Sequence, residues 1–214
     1  MAGAALLLAL THGVGHAATI TVITNIPAIN GADGKCSLIE AIENANDDAA
    51  THPDCAPGSG SDTIVLAKTI VALSAVDNAT YGATGLPVIR SQITIEGNGA
   101  EITRKGAAPP FRLIAVGATG DLTLNKVTLT NGNAAEYGGA IHNHGRLTIQ
   151  NGTISDNNAG GGGGGLSNTA GTLTIESRAI SGNTATGNDS AVVGWGRRKR
   201  LGYGDHHEQH DRAQ

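Results

Sequence analysis

Residues 122–129, 147–154 and 173–180 read LTLNKVTL, LTIQNGTI and LTIESRAI, one pattern written three times. Their first leucines lie 25 and 26 residues apart. A period of this length marks units that must stack, because no single unit can bury its apolar face alone. Three columns repeat with it: Leu122, Leu147 and Leu173; Leu129, Ile154 and Ile180; Ala134, Ala159 and Ala185. Ile141 aligns with Leu166, and Asn143 with Asn168.

Within Leu-Thr-Ile, apolar and polar residues alternate with the period of a half-buried strand. Thr, Ile, Gly and Asn suit strands and turns, and the six-glycine run 160–165 does not suit a helix interior. The pattern predicts an all-β chain, a right-handed parallel β-helix with two short strands per coil. Handedness follows the rule for parallel crossovers. Upstream, Ile93-Thr-Ile95 stands 29 residues before Leu122, and Ile64-Val-Leu66 stands 29 before Ile93. The rungs are therefore expected over residues 62–189, four or five in number. Asn157 and Asn183 share a turn column, where asparagine side chains bond rung to rung rather than to a ligand.

Aromatic residues are 2% of the chain, so the core must be aliphatic. A net charge of −4 leaves no electrostatic footprint for nucleic acid. Residues 190–214 hold five Lys/Arg and three Asp/Glu; the rest carries nine against fifteen, a net of −6.

Residues 4–10 form an apolar run too short to span a bilayer. Gly15 and Ala17 are the small residues of a cleavage site, so residues 1–17 are expected to be a signal peptide, although no Lys or Arg precedes the run. In an exported chain Cys36 and Cys55, the only cysteines, would pair. Their loop of about 20 residues is worth roughly 3 kcal/mol in the chain-entropy model. No Cys/His spacing suggests zinc, and no cofactor or transmembrane segment is expected.

A β-helix exposes apolar interior at its ends, so it needs caps. Ser37 and Glu40 have capping-box spacing, with Ser37 as N-cap. Leu38, Ala41, Ile42 and Ala45 follow at helical spacing, which predicts a short helix over 38–45 tied by Cys36. Residues 18–61 are expected to form this N-terminal cap.

Here the chain resembles a known group. CSLIEAIENAN, residues 36–46, resembles the Cys-Ser-Leu-Arg-Glu-Ala motif that opens many bacterial exported β-helix proteins, with Ile39 in place of the usual Arg. DTIVL at 62–66 and ITIEGNG at 93–99 look like the group's next segments. GGAIHN at 138–143 followed by Leu147-Thr-Ile149 resembles the repeats of polymorphic outer-membrane proteins and related adhesins. The resemblance covers residues 18–189. It implies surface exposure and adhesion to a host or cell-surface ligand or a polysaccharide.

Parallel β-helices also carry lyases and hydrolases that act on polysaccharides. Glu96, Asn125, Gln150 and Glu176 share a column, so on consecutive rungs the two glutamates stand about 14 Å apart. Glycosidase carboxylates need about 5–9.5 Å. No catalytic residue is assigned on this basis. Asp156 aligns with Asn131 and Gly182, which gives it no acidic neighbour in its column. His142 and His144 would share one strand face, and are expected as exposed turn histidines rather than a metal pair. The favoured function is a secreted or surface scaffold without catalysis. The alternatives are a polysaccharide-active enzyme and a truncated gene fragment.

After Ser190 the pattern changes. Arg197-Arg-Lys-Arg200 is a basic cluster; His206 and His210 are spaced as metal ligands on a helix, but His207-Glu-Gln-His210 is one residue short of the zinc-protease motif. Read one nucleotide later, codons for residues 203–211 permit TVTITNSTI, which reproduces the pattern of 146–154. The tail, residues 190–214, is expected to be a frameshifted rung, the alternatives being a disordered segment and a basic cluster for anionic surfaces or nucleic acid.

Overall fold

The computed structural model describes residues 17–31, 33–67, 69–176 and 179–186. The expected signal peptide, apart from Ala17, and the tail from residue 187 lie outside the described residues.

The fold is a parallel β-helix with one α-helix. Its coils trace four sheets. The first contains Thr19–Val22, Asp62–Leu66, Gln92–Glu96, Asp121–Asn125, Arg146–Gln150 and Thr172–Glu176, stacked in that order. The second stacks Ile70–Leu73, Glu101–Arg104, Thr128–Thr130, Thr153–Ser155 and Ala179–Ser181. The third holds the two-residue strands Asn133–Ala134, Asn158–Ala159 and Thr184–Ala185. The fourth holds Ile114–Val116, Ile141–Asn143 and Leu166–Asn168. A complete coil thus has four short strands where periodicity predicted two. The two-residue strands are too short to leave an alternation in the sequence.

All named strand pairs are parallel, and the core is built from their columns. Ile93, Leu122, Leu147 and Leu173 lie in register. So do Ile102, Leu129, Ile154 and Ile180, and Ala134, Ala159 and Ala185. Leu122, Leu147 and Leu173 are fully buried. At roughly 1.5–3 kcal/mol for each large aliphatic side chain removed from water, these columns are the main cohesive term.

Two departures come from the first rungs. Residues 62–176 give the first sheet five strands, within the expected four or five rungs, and Thr19–Val22, from the expected cap, adds a sixth ahead of the helix. Further, Ile64 pairs with Ile95 and not with Ile93; Asp62 faces Ile93. A two-residue slip keeps the same side chains inward, so alternation alone could not detect it. Asp62 takes an inward position in this register. It is 1% exposed, and its carboxylate accepts from the backbone N–H of Ala18 (3.0 Å) and Ser59 (3.0 Å).

The helix α1 spans Leu38–Asp47, two residues longer than the apolar spacing suggested. Its capping box is complete. The Glu40 N–H donates to Ser37 Oγ (3.3 Å), and the Ser37 N–H donates to Glu40 Oε2 (2.9 Å). Leu38, Ala41, Ile42 and Ala45 are fully buried in the core shared with the first sheet. Cys36 and Cys55 form a disulfide, with Cα atoms 4.7 Å apart. At the other end of α1, Asn46 Nδ2 donates to the Val88 carbonyl (2.8 Å), and Ser91 Oγ donates to the Ala45 carbonyl (3.0 Å).

Corners also stack. Asn131, Asp156 and Gly182 all have φ between 57° and 64°. Asparagine, aspartate and glycine tolerate this left-handed region, which accounts for Asp156 in that column. At the entry to the first sheet, Gly120, Gly145 and Gly171 stack, and a Cβ on each would collide with a carbonyl oxygen of the coil before: Ile89, Gly120 and Gly145 respectively.

Candidate functional site

Two features stand apart from the repeating core. The first is the outward face of the first sheet. Thr19, Thr63, Thr94, Thr123, Thr148 and Thr174 form one unbroken row, each in register with the next. The row steps by about 4.8 Å per strand. Thr19 is exposed and the other five are half-buried. β-Branching holds each side chain stiff at χ1.

The flanking columns bond among themselves. Asn125 Nδ2 donates to Glu96 Oε2 (2.8 Å), Asn151 Nδ2 to Asn125 Oδ1 (3.1 Å), and Ser61 Oγ to Gln92 Oε1 (2.7 Å). Arg146 Nε lies 3.5 Å from Asp121 Oδ2. Glu96, Asn125, Gln150 and Glu176 occupy consecutive strands in one column. The two glutamates are therefore separated by three strand spacings, about 14 Å.

The second feature is a cluster on the outer side of the fourth sheet. Residues 77–84 form a small flap. The Thr84 N–H donates to the Asn78 carbonyl (2.9 Å) and the Asp77 N–H to the Thr84 carbonyl (2.8 Å). Tyr81, near its tip, stacks on His144 with ring centroids 4.4 Å apart. His144 lies 4.2 Å from His142, and Tyr137 closes the other side of His142 at 6.1 Å. Beneath the flap, Arg112 is 2% exposed and donates from Nη1 to the Tyr81 carbonyl. Gly82 has φ of 90°, and a Cβ there would press on the Arg112 guanidinium at 3.2 Å.

The electrostatics follow from burial. His142 is 7% exposed. Burial first, then the positive charge of Arg112 and the neighbouring His144, pulls its pKa down to about 4. Burial and Arg112 lower His144 as well. Burial lowers Arg112 to about 10, against the pull of Glu136. His142 Nε2 is 2.8 Å from Thr169 Oγ1. Among the described residues, Arg112 Nε, His142 Nδ1 and His144 Nε2 are buried without a hydrogen-bond partner. The Tyr81 carbonyl lies near enough to His142 to favour its protonated form slightly, without hydrogen-bond geometry at Nδ1.

This corrects the expectation of exposed turn histidines. His142 sits inside the strand Ile141–Asn143 with a flap over it, a contact between distant segments that no local pattern encodes. A hint was present: two of the chain's three tyrosines, in a sequence almost free of aromatics, converge here. No group of three or more His, Cys, Asp or Glu side chains gathers as a metal site among the described residues.

Asn157 is 1% exposed and Asn183 half-buried. Asn157 Nδ2 donates to Asn183 Oδ1 (2.9 Å) and to the Leu129 carbonyl (3.1 Å), while its Oδ1 accepts from the Gly132 N–H (2.8 Å). Asn143 Nδ2 donates to Asn168 Oδ1 (2.6 Å) in a second ladder. These asparagines close the corners of the coil. No helix among the described residues is long and apolar enough to cross a membrane. No family model, curated protein or solved structure matches the chain.

Proposed function

We propose that the chain is a secreted or cell-surface β-helical scaffold, adhesin-like and without catalysis, that holds a partner along the outward face of its first sheet. The observation that carries this reading is the row of six threonines. Their hydroxyls make no hydrogen bond to other described residues, while the polar side chains in the flanking columns are largely tied to one another. A rigid row of free donors and acceptors at one spacing suits an extended, hydroxyl-rich surface. Export is supported by the apolar run at residues 4–10, and the CSLIEA segment by its likeness to bacterial exported β-helix proteins.

The test is adsorption of the full chain to intact cells and to insoluble neutral polysaccharides, cellulose and chitin, with Thr123→Arg/Thr148→Arg as control. Retention by wild type and loss in the variant are expected. Equal retention of both removes the threonine row from the reading. Release of new reducing ends from either polysaccharide would replace the scaffold with an enzyme.

A further inference from the structure

We propose that the 77–84 flap is an acid-released latch: protonation of His142 and His144 beneath Tyr81 crowds their new charges against buried Arg112 and lifts the flap from the fourth sheet. The inference is independent of what the first sheet binds.

The geometry is that of a closed clasp over neutral rings. Tyr81 reaches the cluster twice, with its ring on His144 and its carbonyl on Arg112. Both contacts of Tyr81, ring on ring and carbonyl on guanidinium, are made with the imidazoles uncharged. The buried guanidinium has the Tyr81 carbonyl as its partner, and the stack has two uncharged faces. A second and third cation would have to share this small, dehydrated space, where charges interact far more strongly than in water.

The charged and titratable groups facing the pair are few. Arg112 comes from the segment entering Ile114–Val116, and Tyr81 from the flap. Glu136 and Tyr137 come from the loop before Ile141. Thr169, which is uncharged, comes from the next coil. Two groups compensate: the Tyr81 carbonyl, the smallest influence on His142, and Glu136, which is exposed and whose influence is resolved on Arg112 and not on either histidine.

The direction of the pH response follows. Both histidines are harder to protonate under the closed flap than in an open chain, so closure is favoured fully above the ordinary histidine pKa near 6.5. That advantage is lost as pH falls from 6.5 towards about 4, where His142 itself titrates under the flap. For His142 alone the ceiling on the change in the opening equilibrium is roughly 300-fold, since each pKa unit is tenfold. Asp77, at the base of the flap, acts in the opposite sense. Its pKa is raised, by burial first, against its bond from Asn78 and with help from the charge of Glu43, so acid favours closure there. The latch opens because two rings lie directly under the tip and one carboxyl lies at the hinge.

Opening would turn a covered aromatic stack into a patch of three cations on an otherwise acidic body. Lifting the flap breaks the bond from the Arg112 N–H to the Ala83 carbonyl (3.0 Å) and draws on buried Thr84, while the core residues Leu86 and Ile89 follow it in the chain and Ile89 stays on the fourth sheet through its N–H on the Ala115 carbonyl (3.0 Å).

Hydrogen exchange of the full, disulfide-bonded chain between pH 7 and 4, corrected for intrinsic exchange rates, reads the latch directly. Protection of the Arg112 amide, which donates across to the Ala83 carbonyl of the flap (3.0 Å), should fall by a factor on the order of 100, while Leu147 and Ile149 amides keep theirs. In His142→Gln/His144→Phe, which retains a ring under Tyr81, the flap should stay protected across the range. Constant flap protection in wild type, the same pH response in the double variant, or simultaneous loss in flap and core would each overturn the latch. If the double variant does not fold, the wild-type histidine C2–H titration decides. A His142 pKa well below 6 supports the latch, and one at or above 6.5 overturns it.

Discussion

From Asp121 onward, each coil repeats the strand columns of the one before it at 25 or 26 residues; up to Gly120 the coils are longer and irregular. The later part is held by register. Leucine sits on leucine, asparagine bonds asparagine, and corner stacks on corner. The earlier part is held by individual ties: a disulfide, a capping box, an inward Asp62 and a helix packed on the first sheet. The earlier part also leaves Ile23, Ile26, Ile29, Ile70 and Val76 exposed, and these are all the exposed large hydrophobics among the described residues. Repetition hides apolar surface efficiently, because each coil supplies the next with a matching column. A non-repeating start must find a separate solution at each step. The histidine cluster lies where the two parts meet, with Tyr81 and Arg112 from one and His142 and His144 from the other.

Three variants would break or sharpen this contrast. Leu147→Ala should have the largest effect, about 2–5 kcal/mol, because it opens a cavity between two filled neighbours in a fully buried column. Chemical denaturation should show that loss, and hydrogen exchange should show it spreading to Leu122 and Leu173. Damage confined to one strand would mean the later coils are not coupled through their columns. Next, Cys36→Ser/Cys55→Ser should cost roughly 3 kcal/mol and act mainly on the earlier part. Limited proteolysis would then cut first around 23–61; cuts first within 146–176 would reverse the comparison. The smallest effect is Asn157→Ala, about 1–3 kcal/mol, since it leaves the Gly132 N–H and the Leu129 carbonyl short of a partner. A thermal melt within error of wild type would show that the ladder is ornamental to stability.

The sequence disclosed the two parts unequally, and the reason is physical. A column recurs at fixed spacing, so Leu122, Leu147 and Leu173, or Asn157 and Asn183, declare themselves by arithmetic. The helix is legible because Ser37 and Glu40 are a local pair. The register of Asp62–Leu66 was not, because a slip of two residues preserves the alternation of inward and outward side chains. The cluster was not legible either. Tyr81, Arg112 and His142 are about 30 residues apart, each on a different coil, and their meeting depends on the flap's path rather than on any period.

The stacked glycines at 120, 145 and 171 carry a consequence for how such a molecule changes over generations. Each lets the chain pass where a side chain would strike the carbonyl of the coil before it. Inserting or deleting one residue near that corner would bring a neighbour with a side chain into the gap and push every later column out of line. Gaining or losing a whole coil of about 25 residues would leave each glycine opposite a glycine and each leucine opposite a leucine. The architecture therefore resists gradual lengthening and tolerates duplication, so relatives of this chain should differ in size by complete coils.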